Sequence, residues 1–227
     1  MLTRLNPRSI FAVLLAAVFG RAATAIGQVI AAFYLTPDQF GVYATGVGVL
    51  IATGIFRGGG TGNHMLSMRP EEFPREGGRL FRYSLMFAML CLGLTVGSAW
   101  PVAGAFSTTK QYPERELREV ILVLGVQFST FIVGQYPRAR MSASLRFSEL
   151  STMDILSGML KLGSTWLLAA SGWGALAFAA PMLAMTVFEN AWTWSRCRLV
   201  PGELRTTPGD RKSTRLNSSH ANISYAV

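Results

Sequence analysis

The sequence predicts an all-α, polytopic membrane protein with six transmembrane helices forming one bundle. Three observations predict it. Half of the 227 residues are hydrophobic and only 15% are charged, whereas a soluble domain carries about 25% charged residues. Apolar runs close to the ~18 residues that cross a bilayer recur along the chain. The arginines gather between those runs, which is how membrane topology is written.

Residues 10–35 are the first run, broken only by Arg21. Arg4 and Arg8, the apolar core after them and the small triplet Ala23-Thr24-Ala25 also resemble a secretory signal. Arg21 lies between that core and the triplet, and the run continues to Leu35. Both features favour an uncleaved spanning helix. Pro37 then makes a turn and Asp38 is placed to cap the next helix. The second span, 40–56, contains Gly41, Gly46, Gly48 and Gly54, and small residues let membrane helices approach closely.

Residues 57–82 read as a polar hinge with a short amphipathic piece. The third span is 83–106, with Trp100-Pro101 near its outer end, and 107–119 is a loop and helix start. The fourth span is 120–135, followed by a basic loop over 136–150. The fifth is 153–170. Ser171-Gly172-Trp173-Gly174 is a tight turn with an interfacial Trp, and the sixth span is 175–194. Residues 1–209 thus read as one N-terminal six-helix transmembrane bundle.

Charge sets the orientation. With the N-terminus cytoplasmic, the inside segments hold thirteen Lys or Arg residues: two before the first span, five in 57–82, three after the fourth span and three after the sixth. The outside segments hold three, Lys110, Arg115 and Arg118. This is the positive-inside pattern for a multi-pass protein with both ends in the cytoplasm. The net charge of +9 is used up in that pattern and leaves no basic stripe on a soluble face, so no nucleic-acid partner is expected. Cys91 and Cys197 lack disulfide or metal spacing, and His64 and His220 are the only histidines. No metal site and no cofactor is expected. The run Arg57-Gly58-Gly59-Gly60-Thr61-Gly62 lacks the Gly-Lys-Ser/Thr ending of a phosphate loop and follows no strand.

Charges inside spans are the candidate site. An Arg at mid-span costs about 2.5–3.5 kcal/mol on insertion scales, so Arg21 should face a cavity or a partner. The plain alternative is a side chain that snorkels or pairs structurally. Lys161 has the same two readings. Glu189 could pair with Arg21 or Lys161 or take part in ion coupling. Asp154 reads more simply as a cap of the fifth span.

Two stretches resemble a known family. Residues 34–50, YLTPDQFGVYATGVGVL, resemble the first hairpin of bacterial polysaccharide and lipopolysaccharide (O-antigen type) flippases, with Thr36 where a Gly is common. Residues 136–160, YPRARMSASLRFSELSTMDILSGML, resemble their passage from span four to span five. The family lies in the multidrug, oligosaccharidyl-lipid and polysaccharide exporter superfamily, and the resemblance runs over residues 2–200. It implies a two-bundle transporter of the bacterial inner membrane. Such a protein passes a lipid-linked oligosaccharide of the undecaprenyl-pyrophosphate type by alternating access. Arg21, Arg57 and Lys161 would line its cavity and bind substrate, since a guanidinium suits a pyrophosphate. Glu189 and Asp154 would couple an ion, proton or sodium, or pair with those cations. Six spans account for one bundle; the partner expected is the second bundle of its own chain, besides membrane lipids. One bundle alone is expected to be inactive. An alternative is a membrane enzyme or an assembly partner in polysaccharide biosynthesis, although the outside segments are short and carry no acid–base set.

The tail, 210–227, breaks the pattern: it is polar, basic and without apolar period. Its stretch DRKSTRLNSSH resembles the translation of an adapter ligated to short-read sequencing libraries. It is expected to be disordered and non-native, and to carry no function.

Overall fold

The computed structural model describes residues 7–54, 61–108 and 113–197. Among them there are seven helices and no strand: α1 (Pro7–Tyr34), α2 (Pro37–Thr53), α3 (Thr61–Ser67), α4 (Phe73–Thr108), α5 (Glu114–Ala143), α6 (Phe147–Ala170) and α7 (Leu176–Arg196). Three stretches are long and apolar enough to cross a membrane: Val13–Ile30, Phe73–Ser107 and Glu114–Ala143. The chain is an all-α membrane protein.

The α1–α2 turn forms where the sequence places it, but its cap is Thr36. The Thr36 hydroxyl accepts from the Gln39 amide (3.4 Å), and Gln39 Oε1 accepts from the Thr36 amide (3.1 Å). This is a reciprocal capping box with Pro37 opening the helix. Asp38 is therefore already helical and supplies only favourable charge to the first turn. At the other tight turn Gly172 and Gly174 have φ of 76° and 58°, values that glycine adopts without Cβ strain.

Several boundaries move. The expected hinge at 57–82 contains α3, and α4 begins at Phe73 rather than 83. The fourth span extends at both ends, so the expected basic loop at 136–150 is largely helix. The cause is tertiary: Tyr136, Pro137, Ala139 and Met141 are buried, and packing against neighbours overrides the local signal of Pro137 and the arginines. The actual break is short, Ser144 to Arg146, with Leu145 at φ 57°.

α5 is the axis of the structure. On one side Val42 of α2 and Ala99 and Ala103 of α4 join Leu117, Val120, Ile121 and Leu124 in a buried cluster. Near its C-terminal end, Tyr136 and Ala139 pack with Met65 of α3 and Phe73 of α4, beside Phe81 and Trp194. Small residues set the close approaches. Gly46 lies on Val120 and Leu124, Gly125 on Thr95, and Gly158 on Phe19 and Ala23, each too near for an unmoved Cβ or close to it. With Gly27 on Leu162, Gly54 by Phe128 and Gly77 on Tyr136, these contacts run α1 parallel to α6, α2 parallel to α5 and α4 antiparallel to α5.

Candidate functional site

Where α5, α6 and α7 meet, the packing is ionic rather than apolar. Arg138 of α5 donates from Nη2 to Asp154 Oδ1 of α6 (2.7 Å) and from Nη1 to Glu189 Oε2 of α7 (3.4 Å). Ser157 Oγ donates to the other Glu189 oxygen, at 2.9 Å. Helix spacing explains the meeting of these groups. Asp154 and Ser157 are three apart and so share one face of α6, and Glu189 projects from α7 onto that face. Further polar contacts follow the α5–α7 seam: Gln127 Nε2 donates to Thr186 Oγ1 (3.1 Å) and Asn190 Nδ2 to the Thr130 carbonyl (2.7 Å). Gly134 gives Asn190 the room it needs.

This group borders a cavity of about 630 Å³, lined among others by Asn63, Gln135, Arg138, Glu189, Asn190 and Thr193. With all three groups ionised, one guanidinium faces two carboxylates and the site carries one surplus negative charge. Arg138 is thus already committed and is a poor receptor for a phosphate. An apolar groove of about 710 Å³ lies between α1 and α6, with Ile26, Val29, Phe33 and Trp166 on its walls.

A second ionic group closes the ends of α6 and α7. Arg146 holds Glu149 with two hydrogen bonds, Nε–Oε1 at 2.8 Å and Nη2–Oε2 at 2.6 Å. It also donates to the Arg196 carbonyl (2.6 Å), while Arg196 Nη1 lies 3.6 Å from Glu149. The Arg146 hydrogen bonds hold the Glu149 carboxyl below the usual carboxylate range. Arg196 also stacks over the Trp192 ring, 4.3 Å from its centroid.

The structure brings together two of the residues read from sequence, Asp154 and Glu189, through one that was not. The partner of Glu189 is Arg138, in place of Arg21 or Lys161. Asp154 does not cap its helix: α6 begins at Phe147, two turns earlier. In the sequence Arg138 reads only as a cytoplasmic topology charge, because it follows Pro137 in a stretch that reads as loop. The available signal was two carboxylates in the last two spans with only Lys161 to balance them. Arg21 lies exposed on α1. The α1 residues that meet α6 include Phe19, Ala23 and Gly27, and Arg21 is about 200° around the helix from Phe19. Lys161 is half-buried on α6. Among the described residues neither Arg21 nor Lys161 has a carboxylate in ion-pair range. Arg57 and the tail at 210–227 lie outside the described residues.

Residues 29–206 match the family model for polysaccharide biosynthesis proteins, and the chain belongs to that family. Both stretches that carry the sequence resemblance fall inside the match. No curated protein and no solved structure matches the chain.

Proposed function

We propose that the chain works in the translocation of a lipid-linked oligosaccharide across the bacterial inner membrane, as one six-helix bundle of an alternating-access flippase with its N-terminus cytoplasmic. Family membership supports a role in polysaccharide biosynthesis. The observation that carries the transport reading is the Arg138–Asp154–Glu189 group beside its cavity. Ionisable residues that face the interior of membrane helices are costly, and by default they mark substrate or ion pathways. Asp154 and Glu189 exchange a proton or sodium ion, with Arg138 as their fixed counter-charge. Arg21, Arg57 and Lys161 receive the undecaprenyl-pyrophosphate head. Arg21 faces outward near the centre of Val13–Ile30, so a second helical bundle is required to form the opposite wall of its cavity.

Complementation tests this reading. Cells lacking their own flippase are supplied with the complete reading frame, unchanged or carrying Arg138→Gln, and surface polysaccharide is measured alongside the amount of protein in the membrane. The reading expects rescue by the unchanged frame and loss of export with Arg138→Gln at equal membrane levels. Full export by the Arg138→Gln variant would overturn it.

A further inference from the structure

The cavity at α3, α5 and α7 has a chemistry distinct from a pyrophosphate site. We propose that it binds the uncharged, polyhydroxylated part of the substrate, a sugar ring, with α3 as its cover, and that it rejects the phosphates; this rests on the transport reading for the identity of the substrate.

Three observations lead here. First, one guanidinium, Arg138, faces two carboxylates, Asp154 and Glu189, so with these groups ionised the surplus charge is negative. A diphosphate brought beside it would place like charges together. Second, the remaining polar lining consists of groups that match hydroxyls. The carboxamides of Asn63 and Gln135 make no hydrogen bond among the described residues, so each offers donors and an acceptor. Phe131 adds an apolar face, and a volume of about 630 Å³ is in the range of small-molecule sites. Third, α3 lies across the cavity. Gly62, Asn63 and Leu66 line it, while Met65, fully buried, anchors the helix to Tyr136 and Phe73. Gly62 sits against the end of the Gln135 side chain, which a Cβ there would displace, so α3 rests directly on the site.

Leu66 is 61% exposed on the cavity rim and outside the polar lining, which makes it a reporter. The full chain in nanodiscs carries Leu66→Cys with Cys91→Ser and Cys197→Ser, and maleimide labelling is timed. The probes are N-acetylglucosamine, methyl glucoside and inorganic pyrophosphate. Leu145→Cys, exposed and away from the cavity, is the control. At twice its dissociation constant a saccharide should slow Leu66→Cys labelling about threefold, with no change at Leu145→Cys or with pyrophosphate. Adding Asp154→Asn and Glu189→Gln leaves Arg138 in excess, and pyrophosphate should then protect. Protection of the native site by pyrophosphate, or by neither saccharide, overturns the proposal. Protection in a protein that fails to rescue export removes the transport reading alone, and export without protection removes this proposal alone.

Discussion

Arg138 and Asp154 join α5 to α6 at 2.7 Å across the antiparallel turn between them. The contact falls well inside both helices, so it fixes their register as well as their separation. Glu189 shares the same guanidinium at 3.4 Å, which ties α7 to the pair. One side chain thereby sets the relative positions of three helices.

Removing that side chain should loosen all three. Breaking a buried ion pair costs about 3–5 kcal/mol because a charge is left uncompensated. Arg138 and Asp154 remain 38% and 34% exposed, and solvent screening lowers the expected loss for Arg138→Gln to about 1–2 kcal/mol. Adding Asp154→Asn or Glu189→Gln removes a stranded charge and should recover part of the loss. Thermal unfolding in detergent measures both steps, and an unchanged midpoint for Arg138→Gln would show that the pair does not hold the helices.

Gly134→Ala should be costly where Gly48→Ala is not. A Cβ at Gly134 would overlap the Asn190 carboxamide, which could retreat only by stretching its 2.7 Å hydrogen bond to the Thr130 carbonyl. Overpacking of this kind costs about 1–3 kcal/mol. A Cβ at Gly48 meets nothing within 4 Å, so alanine there should gain up to about 1 kcal/mol of helix propensity. Equal midpoints for the two variants would contradict the α5–α7 packing.

What was legible in the sequence follows from which forces act locally. The hairpin turn at Thr36-Pro37, though not its capping residue, and the turn at Gly172 and Gly174 are readable, because the backbone preferences of Pro and Gly depend on a few adjacent residues. The C-terminal turns of α5 were not, because Tyr136, Ala139 and Met141 are held by contacts with distant helices. The site divided along the same line. Asp154 and Glu189 stood out as carboxylates in apolar runs. Their counter-ion was hidden behind Pro137, in a segment whose helicity is a tertiary effect.

The Glu149 group should make the α6–α7 end sensitive to acid. Its folded carboxyl is held below the ordinary value of 4.5 by Arg146. A depressed folded pKa means that the unfolded chain takes up the proton first. The stabilisation is therefore complete above the ordinary value and is lost as pH falls through the folded one. Glu149 is about a third exposed, so the contribution is about 1 kcal/mol or less. Glu149→Gln should remove the part of the acid destabilisation between pH 5 and 3, on the order of that window. Superimposable stability–pH curves for the two proteins would rule this out.

Arg21→Ala should separate stability from function with opposite signs. In Val13–Ile30 this Arg lies near the centre of an exposed apolar helix, where it costs about 2.5–3.5 kcal/mol on insertion scales. Replacing it should leave membrane insertion unchanged or improved. If Arg21 is kept to meet the pyrophosphate head, export in the complementation assay should fall by roughly tenfold or more, the scale of about 1.4 kcal/mol per decade for a lost charge-assisted contact. Arg21→Lys should recover only part of it, since a point charge cannot reproduce the two-pronged donor geometry. Membrane-fraction yield and surface polysaccharide are measured on the same cultures. Normal export with Arg21→Ala would leave the Arg as a snorkelling residue and remove it from the substrate path.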